Sequence, residues 1–231
     1  VLLIRLRDRY GVNVETVPLR AALREAFVMT STGHGRHIKQ SGGHGQYAVC
    51  DITVDPLERG AGFEFVDKVV GGTVPRQFIA SVEKGVRTQL EKGCIAGFPM
   101  IDLRVSLTGG KSHSVDSSDM AFQTAGALAL KDAASPQTVT LLEPVDSVCV
   151  VVADEYVGAV MTDLQTRRGR VVGTEPDTSG RSTINAEVPQ TEITRYAIDL
   201  RSVSHGTGVF TRTPHGYEPM PPNLVQGYLL A

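Results

Sequence analysis

From Val145 to Thr213 the spacing of apolar residues changes in a fixed order, and that order constrains the fold more than any other feature of the chain. Val145–Val152 is an apolar run of strand length. Glu155–Arg168 follows, with Tyr156, Val157, Val160, Met161 and Leu164 on one helical side. Its acids stand at the start, Arg167 and Arg168 at the end and Gly169 just beyond, as the helix dipole and C-terminal capping favour. Arg170–Pro176 and Ser182–Val188 read as strands, the second from the alternation of Ile184, Ala186 and Val188. Pro189 and Thr191 lead into a helix through Ile193, Tyr196, Ala197, Leu200 and Val203, and Gly208–Thr213 is a last strand. The order β-α-β-β-α-β predicts a ferredoxin-like, split βαβ unit over residues 143–231, with a Pro-rich tail.

Residues 20–142 predict a second α+β unit. Tyr47–Val54, Phe63–Val70 and Met100–Leu107 are strand-like. Pro75–Lys92 is a helix with Phe78, Ile79, Val82, Val86 and Leu90 as its apolar stripe and Gly93 as its stop. Asp119–Ala133 is another, capped by Ser117 or Ser118. Val139–Leu142 is a short closing strand. Residues 1–19 read as a helix, a stop at Gly11, and a strand through Val12, Val14 and Val17. A helix and one strand bury no core alone, so this piece is expected to finish a larger domain, and the chain to be a fragment.

The formal net charge of −2 excludes a protein that works by coating nucleic acid, so any such contact is local. No apolar run has membrane-spanning length. Cys50, Cys94 and Cys149 are far apart and two sit in apolar runs, which fits reduced thiols of a cytoplasmic protein. The stretch Gly33–Tyr47, GHGRHIKQSGGHGQY, holds three of the six histidines in a window free of acids from Ala26 to Cys50. Its composition leaves four readings open: phosphate, metal, catalysis or a simple turn. TGGKS at Thr108–Ser112 fails as a P-loop because Val105 stands where the first glycine belongs; a Gly-Gly hairpin turn is the plainer reading. His34, His37 and His44 lack zinc spacing and an acidic or Cys partner. Ser112 and His113 are adjacent, no nucleophile elbow exists, and Asp116 and Asp119 suit a helix start, so no catalytic and no metal residues are assigned. Local RNA contact remains, with Arg36, Lys39 and Lys111 supplying charge, His44 and His113 able to stack, and a second basic cluster at Arg167–Arg170.

Several of these stretches resemble elongation factor G. IKQSGGHGQYAVCDITVDPLERGAGFEFVDKVVGGTVPRQFIASVEKGV and GFPMIDLRVSLTGGKSHSVDSSDMAFQTAGALALKDA are similar to its domain IV. LLEPVDSVCV, EYVGAVMTDLQTRRGRVVGTEP and YAIDLRSVSHGTGVF are similar to its domain V, and residues 1–19 to the end of domain III. The resemblance implies a ribosomal protein S5 domain 2-like fold for 20–142 and a ferredoxin-like fold for 143–231. It implies a translational GTPase whose GTP and Mg lie in an N-terminal domain absent here, so that this chain has no cofactor and no catalysis by itself. The implied partners are rRNA of both ribosomal subunits and the mRNA–tRNA of the decoding region, for a monomer without membrane or DNA partners.

Two tip loops are implied by the resemblance: Lys39, Gln40, Ser41, Gly42, Gly43, His44, Gly45, Gln46 and Tyr47, and Gly109, Gly110, Lys111, Ser112, His113 and Ser114. Arg167, Arg168 and Gly169 correspond to the large-subunit face. The chain departs from the family pattern at His44 (usually Arg), at Ser112 (usually aromatic), at Ser114 (usually acidic) and at Thr207 (usually Arg). These departures point to an elongation factor G-like paralogue, acting in translocation or, alternatively, recycling, protecting or modulating ribosomes without translocating. An unrelated metal- or RNA-binding module is the reading outside the family.

Overall fold

Residues 24–67 and 103–111 build most of a first unit through strands that the glycine-rich sequence disguises. A computed structural model of the chain describes residues 2–14, 21–41 and 44–229. Helix α1 covers Leu2–Tyr10; residues 11–14 are not a strand, and Val17 of the expected strand lies outside the described residues. Strands β1 (Arg24–Phe27), β2 (Ser31–Ser41), β3 (His44–Pro56), β4 (Phe63–Asp67) and β5 (Leu103–Lys111) are joined by helix α2 (Arg76–Lys92) and followed by helix α3 (Asp119–Ala133). The four-stranded sheet has the order β2-β3-β5-β4, antiparallel except for the β4/β5 pair, whose crossover is α2. Ser118 caps α3 by accepting from the Ala121 N–H at 3.2 Å, one of the two caps expected.

Helix α3 lies directly on β2. A Cβ at Gly35 would overlap the Ala125 carbonyl oxygen, and one at Gly33 the Ala129 carbonyl. The two glycines therefore let a helix backbone rest on a strand backbone, which is why β2 carries so few core side chains. The expected Gly-Gly hairpin turn at Gly109–Gly110 does not form. Both glycines belong to β5, paired with Asp51 and Cys50, and a Cβ at Gly110 would overlap the Val49 carbonyl.

The second unit follows from strand β6 (Val139–Ala153), a single 3₁₀ turn (Asp154–Tyr156), helix α4 (Val157–Thr166), strands β7 (Arg170–Pro176) and β8 (Arg181–Pro189), helix α5 (Tyr196–Val203) and strand β9 (Val209–Pro219); a short helix α6 (Pro222–Val225) ends the described chain. Strand β6 pairs with β8 and β9, and β8 with β7, all antiparallel, giving the order β9-β6-β8-β7 of a ferredoxin-like sheet. Helix α5 starts later than Pro189–Thr191 suggested, and α4 is shorter than Glu155–Arg168.

The two expected strands flanking Glu143–Pro144 are one. The first residues of β6 pair with β1, Arg24 opposite Leu142, while Leu142 faces Pro219 of β9 on its other side. Pro144 falls between the stretch paired with β1 and the stretch paired with β8, which begins at Val145. Val139 and Leu141 accordingly belong to the core of the first unit, together with Met220, whereas Val148, Val150 and Val152 belong to the second core. The chain is thus an S5 domain 2-like unit and a ferredoxin-like unit threaded by one strand.

Candidate RNA-contacting tip and the basic cluster

The register Ser41 opposite His44 makes β2 and β3 a hairpin; Gly42 and Gly43 between them lie outside the described residues, as do the side chains of Gln40, Ser41 and His44. The segment after β5 folds back onto this hairpin. The Tyr47 N–H donates to the Asp116 carbonyl at 2.9 Å, and the Ser117 hydroxyl donates to the Tyr47 carbonyl at 2.8 Å. The two loops predicted as tips, Lys39–Tyr47 and Gly109–Ser114, therefore meet at one end of the sheet.

His113 organises its own loop. Its N–H donates to Ser117 Oγ at 2.8 Å, and its Nδ1 accepts from the N–H groups of Val115 and Asp116 at 3.3 and 3.2 Å. Asp116 Oδ2 stands 3.2 Å from the same nitrogen. With Nδ1 turned toward the backbone, Nε2 is the ring atom without a partner among the described residues, on a half-exposed side chain. The Tyr47 ring lies 6.0 Å away, centroid to centroid.

Pairing also aligns charge. Arg36 is opposite Val49, which on its other side is opposite Lys111, so the two cations flank one apolar residue on the same sheet face. Lys39 stands nearer the hairpin end, on the face of β2 opposite to Arg36. Among the described residues Arg36, Lys39 and Lys111 are exposed and paired with no carboxylate. His34 instead bonds Asp51 Oδ1 at 2.7 Å, and His37 Nε2 bonds Gln46 Oε1 at 2.7 Å. Three positions apart on a strand, His34 and His37 face opposite ways and do not converge on an ion. The Thr108–Ser112 segment offers no phosphate cradle, since its glycines are in the ladder with β3.

Arg167, Arg168 and Gly169 occupy the end of α4, away from the tip, in a different chemical state. The Arg167 guanidinium donates to Asp163 at 2.9 and 3.2 Å, to Asp199 at 2.9 Å and to the Glu192 carbonyl at 2.8 Å. Arg168 is bidentate on the buried Glu143 at 2.6 and 2.8 Å and reaches Glu192 at 3.0 Å. Bonds to Asp163 and to Glu143 respectively push the two guanidinium pKa values further up, against their partial burial. Arg168, not Gly169, adopts the left-handed conformation at the helix end, with φ 61°. Gly169 is needed for contact, as a Cβ there would lie 2.6 Å from the Leu164 carbonyl oxygen.

One important residue gave no sequence signal. The fully buried Glu25 carboxylate accepts N–H bonds from Cys94 (2.7 Å), Ile95 (3.1 Å), Ala96 (2.8 Å) and Phe98 (3.2 Å). Its partners lie some 70 residues away, and only the two glycines of GCIAGF after α2 hint that a backbone is free to wrap an anion.

Comparison with known proteins agrees with this architecture. The family model for elongation factor G, domain IV, matches residues 20–136, and that for the elongation factor G C-terminus matches residues 140–227. An elongation factor G-like protein of Mycobacterium tuberculosis (strain CDC 1551 / Oshkosh) is 64% identical over 221 residues, 96% of this chain and 31% of that protein. One of the same description from Thermotoga maritima is 44% identical over 224 residues, 97% of this chain and 33% of that protein. A crystal structure of a Thermus thermophilus protein superposes with a TM-score of 0.84 at 36% identity, over 98% of this chain and 34% of that one. The chain spans about a third of the length of the curated relatives it matches. With both units matched and the strand order of each as described, the chain belongs to the elongation factor G family and carries its domain IV and C-terminal sequence.

Proposed function

We propose that this chain is the ribosome-contacting part of an elongation factor G-like GTPase and acts in the movement of tRNA and mRNA during translation elongation. The observation that carries this reading is the convergence of two loops at one sheet end beside three exposed cations that have no acidic partner among the described residues. Arg36, Lys39 and Lys111 offset phosphate charge, and His113 offers Nε2 to a base or phosphate. The locked turn from His113 to Ser117 presents these groups without an ordering cost at the moment of contact. GTP and Mg belong to the part of the longer protein outside this chain. The tip works by occupying space beside paired RNA, and the second unit holds it in place.

The end of α4 enters this reading differently from the tip. With both guanidinium groups held by carboxylates, Arg167 and Arg168 shape the surface there more than they neutralise phosphate. A second reading, ribosome modulation without translocation, is favoured by His44, Ser112 and Ser114, which alter the tip relative to the family pattern.

The test uses the full-length protein containing this chain, with purified ribosomes and a non-hydrolysable GTP analogue. Replacing Arg36 and Lys111 together by Ala is expected to weaken binding at least tenfold and flatten its salt dependence. His113→Ala is expected to slow tRNA movement more than it weakens binding. Unchanged binding and movement in both variants would refute the tip assignment; full binding with no tRNA movement in the parent protein would select the second reading.

A further inference from the structure

Glu187, His215 and Glu218 come together on the second unit where two cavities adjoin. One cavity, of about 330 Å³, is lined by Ser147, Cys149, Asn185, Glu187 and His215 among others; its neighbour, of about 190 Å³, includes Arg170, Glu187 and Glu218. Glu187 stands on β8 and the other two on β9, the strands that flank β6. The convergence depends on a fault in the ladder. Asp146 is opposite Pro214 and Val145 opposite Gly216, so His215 is the extra residue of a β-bulge. A bulge re-aims a side chain that a regular strand would place elsewhere.

The imidazole is held for ligation. Its Nδ1 lies 3.3 Å from Ser147 Oγ, which turns Nε2 toward Glu187 Oε1, 3.6 Å away. One ligand atom from each of the three residues lies within 4.8 Å of the others. Around an ion bound at about 2.0–2.2 Å in tetrahedral geometry, ligand atoms sit roughly 3.3–3.5 Å apart, so only the Glu218 side chain has to close in. Glu218 is half-exposed and free to do so. We propose that Glu187, His215 and Glu218 form a binding site for a divalent transition-metal cation, zinc first among them. One imidazole with two carboxylates suits zinc better than magnesium or calcium, which prefer all-oxygen shells.

Arg170 is the competing cation. It bonds Glu187 Oε2 but stands 3.8 Å from Glu218 Oε1, beyond hydrogen-bond reach, and it is two-thirds exposed. The metal takes Glu187 Oε1 and leaves Oε2 to Arg170, which then acts as an outer partner of a ligating carboxylate. Three protein ligands leave a fourth position for water. The bound ion ties β8 to β9 across β6. Nothing in this proposal requires ribosome contact.

The test is calorimetric titration of the chelator-stripped 231-residue chain with zinc chloride. One saturable equivalent is expected, with a rise in melting temperature. His215→Ala and Glu187→Gln are expected to abolish it, and Ser147→Ala to weaken it about tenfold. His34→Ala, which removes the exposed histidine of the His34–Asp51 pair in the other unit, is expected to change nothing. Each variant's metal-free melting curve reports folding; His215 is half-exposed, so His215→Ala decides the matter if Glu187→Gln unfolds. No saturable binding in the parent chain, undiminished binding in His215→Ala, or equal loss in His34→Ala overturns the proposal.

Discussion

Gly35 shows how a residue without a side chain can be a core residue. The helix above it sits where a Cβ would go, so Gly35→Ala has to push α3 off β2. The expected cost is about 3 kcal/mol, the upper range for overpacking, measurable as a shift in urea midpoint; a loss below about 0.5 kcal/mol would contradict the contact. From composition the stretch stayed open as a phosphate, metal, catalytic or turn segment, because strand and turn glycines look alike until the partner backbone is known. Glu25 was illegible for the opposite reason: its four donors are backbone groups, which leave no side-chain signature. Glu25→Gln places an NH₂ group against N–H donors and is expected to cost on the order of 3 kcal/mol. The thiols were legible as reduced and partly buried. Burial, with Asp51 nearby, pushes the Cys50 pKa up to about 12, and burial with the Glu25 charge does the same for Cys94. An unfolded thiol ionises from its ordinary value of 9.0. Stability from these groups is therefore complete below about pH 9 and is lost as the pH rises toward about 12. A Cys50→Ala/Cys94→Ala variant is expected to lose less stability between about pH 8 and about pH 10.5 than the parent, by denaturant titration at each pH.

Among the elements, α2, α3, β7 and β8 were readable because their signals are local: an apolar stripe, a serine cap, a two-residue alternation. Strand β1 was not, being four residues long; β2, which alternates glycine with histidine and arginine, has no apolar alternation and is read as a strand leading into a glycine turn only through the resemblance to the family. The end of α4 shows a third case. Its basic residues suggested a free cationic face, but their carboxylate partners Glu143, Glu192 and Asp199 come from three other segments. Arg168 fastens this helix end to β6 through Glu143, whose side chain is almost fully buried. Arg168→Ala leaves that carboxylate unpaired, with an expected loss of about 3 kcal/mol, and Glu143→Gln in the same background is expected to recover part of it. Thermal unfolding of the single and double variants checks this; an additive double variant would mean that the pair is not coupled.

At the scale of the whole molecule, the order of strands and helices in the second unit was legible but its junction with the first was not. Glu143–Pro144 separated two expected strands, because a proline usually interrupts a strand. Instead the first core takes Val139, Leu141 and Met220 from beyond the family boundary near residue 136. A truncation to residues 20–138 removes the partner strand of β1 and the Met220 side chain, and is expected to melt well below the 231-residue chain. The intact chain is expected to show one calorimetric transition, and two well-separated ones would contradict a shared strand.

Strand β6 has a mechanical consequence. Fifteen residues of one ribbon are clamped in two hydrophobic cores, with no free segment between the clamps. Such a joint bends little before ladder bonds must break. A sideways load on the hairpin end of β2 and β3 therefore reaches the α4 side of the molecule as tilt of a whole sheet, with little of it absorbed in between. With the second unit held, the first would move as a lever whose compliance is set by the pairing of β1, β8 and β9 along a single beam.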